Sequence, residues 1–127
     1  MVSSARTDEV LKVIVANPAM IKAYKSGVPG NGHPFPEGAK IVKLQWSFKK
    51  NTEAPFAVDV PNAPTQAFFM EKNSKRFPNT GGWGYAVLDH DVANGTITAD
   101  SAKSDCGQSC HAAVKRKDYI FHPYQTR

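Results

Sequence analysis

From Ile41 to Phe48 the chain alternates with a period of two. Val42, Leu44, Trp46 and Phe48 point one way, and Ile41, Lys43, Gln45 and Ser47 the other. Successive side chains leave opposite sides of an extended backbone, so the run predicts a strand with one strongly apolar face. A second strand is predicted through Gln66, Ala67, Phe68, Phe69 and Met70, and a third from Trp83 to Leu88. Asn94-Gly95 makes a turn into Thr96, Ile97 and Thr98, which predicts a hairpin. Strands at this spacing favour an antiparallel meander.

Two helices are predicted ahead of the sheet. Thr7 can cap the first, with Asp8 and Glu9 facing the positive end of its dipole. Val10, Leu11, Ile14 and Val15 follow at helical spacing. Asn17-Pro18 interrupts, because the residue before proline resists the α region. Pro18 opens a second short helix with Met20, Ile21 and Tyr24 on one side, and Gly27 fits the position just past its end. Residues 28–38 read as a Gly/Pro loop around His33 and Phe35. The expected fold class is α+β: a mainly antiparallel β-sheet with N-terminal helices and a C-terminal helix or loop. A length of 127 residues suits a single domain, 1–127, with one core.

The net charge of +5 favours acidic partners, anionic surfaces or a small anionic ligand. The lysines are scattered, and only Lys115-Arg116-Lys117 is concentrated, which reads as a solvated face and not a nucleic-acid site. No apolar run is long enough to cross a bilayer. The polar start contains no apolar h-region.

The chemistry lies in Asp105-Cys106-Gly107-Gln108-Ser109-Cys110-His111, which holds the only two cysteines of the chain. In c-type haem attachment two thiols add to the two vinyl groups, and the histidine after the second thiol reaches the iron. The usual spacing has two residues between the cysteines. Here there are three, and the Gly-Gln-Ser insert is expected to absorb the extra one by flexibility. Three other readings stand beside haem: a disulfide across a tight loop, a zinc site joining both thiols and His111 to His90 or His122, and two free thiols.

The segment continues Lys115-Arg116-Lys117-Asp118-Tyr119-Ile120-Phe121. Cys-His, a short gap and Asp-Tyr-Ile-Phe resemble the C-terminal part of the cytochrome P-460 and cytochrome c-prime-beta family. So do Lys75-Arg76-Phe77-Pro78-Asn79-Thr80-Gly81-Gly82-Trp83-Gly84-Tyr85, and Pro34-Phe35-Pro36-Glu37-Gly38 leading into Ile41-Val42-Lys43. The matches fall in order over roughly residues 7–124. The departure is the extra residue between the cysteines. The resemblance implies a mainly antiparallel β-fold, often a homodimer, with one haem c per chain on a C-terminal attachment helix or loop. It implies a periplasmic location too, with a leader absent from the sequence as it stands.

By that resemblance Cys106 and Cys110 match the thioether cysteines and His111 the proximal iron ligand. In the hydroxylamine-oxidising branch a strand lysine is joined to the porphyrin edge, and Lys43 sits on a comparable strand. It is expected near the haem but not joined to it; alternation alone also explains it as a solvated lysine. That branch resembles an enzyme with a carboxylate above the iron, as proton transfer requires. The strand to inspect reads Ala67-Phe68-Phe69-Met70, with no carboxylate before Glu71. Phe69 is taken as the distal aromatic; only one of Phe68 and Phe69 can face the haem, and both also read as core. Met70 or Met20 would close the sixth position. His33 and His90 read as surface residues, and His122 as a residue at the haem edge or none.

Three functions follow, in this order. The first is a haem c protein with an apolar distal pocket that binds nitric oxide or a similar small gas. The second is a haem oxidoreductase oxidising hydroxylamine or nitric oxide through a lysine–haem cross-link. The third is a six-coordinate electron carrier. A redox partner protein is expected, with no nucleic acid and no membrane insertion.

Overall fold

The computed structural model describes residues 2–5, 10–53 and 55–124. Six strands form one antiparallel sheet in sequence order: β1 (Val2–Ala5), β2 (Val10–Ala16), β3 (Lys40–Asn51), β4 (Val58–Lys72), β5 (Trp83–Asp91) and β6 (Thr96–Ala99). Helix α1 (Pro18–Lys25) follows β2, and helix α2 (Ser101–Ala112) follows β6. The fold is α+β with a mainly antiparallel sheet.

The first predicted helix is a strand instead. Positions 10, 11, 14 and 15 fit a helical stripe, yet Val10, Val13, Ile14 and Val15 are β-branched and lose side-chain freedom in a helix. The partner decides: β2 pairs with β3 from Val10↔Ser47 to Ala16↔Ile41. Thr7, Asp8 and Glu9, taken as the cap and first turn, lie outside the described residues. The second predicted helix is present. Asn17 Oδ1 caps it by accepting from Met20 N at 3.1 Å, Pro18 opens it, and Gly27 takes the left-handed conformation at φ 95°.

The strand expected at 66–70 is the end of a 15-residue strand. Pro61 and Pro64 hid its first half, because proline removes a ladder donor. The structure accommodates both prolines beside the register shifts that flank Trp46, with Pro64 opposite Trp46 and Pro61 opposite Phe48. The predicted hairpin at Asn94-Gly95 joins β5 to β6.

Both helices pack on one face of the sheet. That inner face carries Ile14, Ile41, Lys43, Phe68, Met70, Tyr85 and Val87, matched across the strands. Its core joins Met20 and Ala23 of α1 to Phe35, Met70, Trp83 and Ile120. The apolar row Val42, Leu44, Trp46 and Phe48 lies on the other face, where it remains half-buried. α2 is fastened to β5: Val87 N donates to Ser104 Oγ at 3.1 Å, and Lys103 Nζ lies 2.7 Å from Asp89 Oδ2. Asp100 Oδ1 caps the helix by accepting from Lys103 N. This docking places residues 104–111 over the sheet.

Candidate functional site

A cavity of about 410 Å³ lies between the inner face of the sheet, α2 and residues 120–122. Sites for cofactor-sized molecules run from about 300 to 1,000 Å³. Cys106, Cys110, His111, Lys43 and Phe69, all named from the sequence, border it.

The Gly-Gln-Ser insert is helical, not a flexible loop. Residues four apart in a helix turn through about 400° and share one face. The extra residue therefore stacks Cys106 and Cys110 one turn apart on the same side of α2. Both thiols are exposed and unbonded. Among the described residues no three His, Cys, Asp or Glu side chains gather into a metal-holding group, and His90 is engaged elsewhere, 2.7 Å from the Pro64 carbonyl. Neither the disulfide nor the four-ligand zinc arrangement is formed.

His111 lies in the last turn of α2. Its Nδ1 is 2.6 Å from the carbonyl oxygen of Tyr119. A carbonyl only accepts, so Nδ1 carries the proton. Burial pulls the imidazole below its usual pKa, and the nearby charges of Lys43 and His122 act the same way, against the hydrogen bond to Tyr119. A neutral ring protonated at Nδ1 keeps the Nε2 lone pair for a metal, the arrangement in which a second partner fixes a ligating histidine. Tyr85 stands beside this ring at 5.6 Å between centroids, and Phe121 meets it edge-on at 4.8 Å.

Tyr85 also borders the cavity, and its hydroxyl is buried without a hydrogen-bond partner among the described residues. Burial raises its pKa, so it stays a neutral donor. A buried donor without a partner is costly. Two thiols on one helix face, a neutral imidazole with a free nitrogen and apolar walls suit an apolar macrocycle with a central metal.

The Lys43 Nζ lies 3.8 Å from the centre of the Phe68 ring. Phe68 pairs with Lys43 and Val87 on the inner face. Phe69 takes the neighbouring pleat position, paired with Val42 and Ala86, and is 37% exposed. Met70 borders the cavity, whereas Met20 is fully buried in the core and does not. Glu71 forms an ion pair with Lys40 at 3.3 Å away from the cavity. His33 is exposed in its loop, and His122 borders the cavity.

Sequence reasoning gave no role to Tyr85, Phe121 or Ile14. Tyr85 carried a usable sign, since it shares the parity of Trp83 and Val87 on β5 and so faces the helices. The Tyr119 carbonyl carried none, because a backbone acceptor has no residue type.

The family model described as cytochrome P460 matches residues 1–122 of the chain. No curated protein matches it.

Proposed function

This chain belongs to the cytochrome P460 family, whose members hold haem, and we propose that it is a c-type haem protein that binds nitric oxide or a similar small, uncharged ligand. Cys106 and Cys110 would carry the two thioethers of one haem per chain, and His111 Nε2 would bind the iron. When bound, the haem would supply an iron able to take up a small ligand. The chain's own groups do the rest: Tyr119 O orients the imidazole, and Phe68, Met70 and Val87 keep water away. Covalent haem attachment in bacteria takes place outside the cytoplasm, so we place the protein in the periplasm.

The observation that carries the ligand-binding reading is the lining itself. No Asp or Glu is among the described residues that border the cavity. Proton transfer during oxidation of hydroxylamine needs a positioned acid or base. The apolar wall of Phe68, Met70 and Val87 instead admits a small neutral gas.

A second reading, a hydroxylamine-oxidising enzyme with Lys43 joined to the haem, is favoured by one observation: Lys43 borders the cavity and acts electrostatically on His111. Nitric oxide titration of the matured protein, run beside hydroxylamine turnover with an artificial electron acceptor, separates the two. Stoichiometric nitric oxide binding with negligible turnover is expected. Robust turnover would replace the first reading with the second.

A further inference from the structure

Between α2 and the C-terminal residues the chain passes through a tight turn in which Asp118 (φ 46°) and Tyr119 (φ 65°) are both left-handed. Such a conformation is disfavoured for residues with a side chain and persists only where the surroundings hold it. What holds it is a buried polar hub on the Asp118 carboxylate. Lys72 Nζ lies 2.8 Å from Oδ1, Trp83 Nε1 donates to the same oxygen at 3.2 Å, and the backbone N–H of Phe35 donates to Oδ2 at 2.7 Å. Lys72 is buried and donates also to the Gly81 carbonyl at 2.9 Å. The ring of Tyr119 rests on Gly81, where a Cβ would come within 2.2 Å of it.

The carbonyl that this turn presents is Tyr119 O, the acceptor for His111 Nδ1. We propose that the Lys72–Asp118 ion pair is a positioning device for the proximal ligand: by locking the 118–119 turn it fixes the His111 hydrogen bond and thereby sets the strength of the iron–histidine bond and the reduction potential. A histidine that donates firmly from Nδ1 is a more basic ligand at Nε2 and favours the oxidised iron. Loosening the turn weakens that donation. Neither Lys72 nor Asp118 borders the cavity, so both act on it from behind, by way of the 118–119 turn. The inference rests on His111 being the iron ligand.

The test uses the matured holoprotein and two readouts, the ferrous iron–histidine stretch by resonance Raman and the midpoint potential. Asp118→Asn strands a buried ammonium, so the double variant Asp118→Asn/Lys72→Met, which removes both charges, is measured with it. Both are expected to lower the stretch frequency and to favour the reduced state about tenfold, equal to about 59 mV upward for a one-electron couple. Lys72→Arg keeps the ion pair and should retain the wild-type values. Wild-type values in either folded variant would overturn the inference. So would an Nδ1 proton of His111 in the unmodified ferrous carbon monoxide form that exchanges rapidly with solvent. Absence of an iron–histidine stretch in a five-coordinate, high-spin ferrous wild type would instead overturn the assignment of His111.

Discussion

The ammonium of Lys43 sits 3.8 Å above the centre of the Phe68 ring, on a cavity wall shared by strands β3 and β4. An aromatic face attracts a cation and steadies it. Here it holds the lysine beside the cavity where one family branch uses a lysine for a covalent bond. We expect the tryptic peptide carrying Lys43 to have its unmodified mass, and Lys43→Met to leave an ordinary haem c spectrum in place. A wild-type spectrum shifted well to the red, restored to ordinary haem c by Lys43→Met, would reverse the choice.

The proposed attachment through α2 makes a mass prediction. The intact protein should exceed its polypeptide mass by one haem, and the haem should survive acid–acetone extraction. Since Cys106 and Cys110 share one helix face, either thiol alone can still reach the group. Cys106→Ala is therefore expected to retain a single thioether and a displaced haemochrome band. Free extraction of haem from the wild type would sink the c-type assignment.

The axial position is tested at Met70, which borders the cavity, and not at Met20, which is sealed in the core. The ferrous protein is expected to be five-coordinate and high spin, and carbon monoxide to bind without displacing a side chain. Met70→Leu conserves volume and should cost under about 1.5 kcal/mol of stability, with no change of spin state. A low-spin wild type made high spin by this substitution would promote the electron-carrier reading.

Gly81 is left-handed at φ 68° and lies under the Tyr119 ring. Gly81→Ala adds about 1–2 kcal/mol of backbone strain and about 1–3 kcal/mol of overpacking. Thermal unfolding should show a loss of roughly 2–5 kcal/mol. An unchanged melting temperature would mean that the ring yields freely.

The apolar row Val42, Leu44, Trp46 and Phe48 faces away from both helices and stays half-buried. The homodimer expected from the family resemblance would use this row as a self-complementary patch. Size-exclusion chromatography should give a dimer for the wild type and a monomer for Leu44→Glu. A monomeric wild type would remove this assignment.

The sheet was legible where side-chain period and backbone agreed. Ile41–Phe48 alternates cleanly, and Asn94-Gly95 is a turn by its own chemistry. Val10–Ala16 was not legible, because its apolar residues satisfy a helical stripe and a strand equally, and only pairing with β3 decides. The two thiols and the imidazole of the candidate site were legible as Cys, Cys and His in a short run. Their geometry was not: a glycine-containing insert reads as a hinge, yet α2 stays helical through Gly107. The inward turn of Phe68 follows from cross-strand register, which local sequence does not encode.

The His111 side of the cavity is closed by contacts that span nearly the whole chain. Phe35 N meets Asp118 across 83 residues, and the Tyr24 hydroxyl donates to the His122 carbonyl across 98. The meander, by contrast, joins each strand to its neighbour in sequence. Short loops close at low entropic cost and long ones later. The sheet can therefore form first, as a platform on which the cysteines wait accessible on α2 until the final turn clamps down. The His111–Tyr119 bond spans only eight residues and can form locally, so the clamp on Asp118 and not the bond itself would be the last part of the site to set.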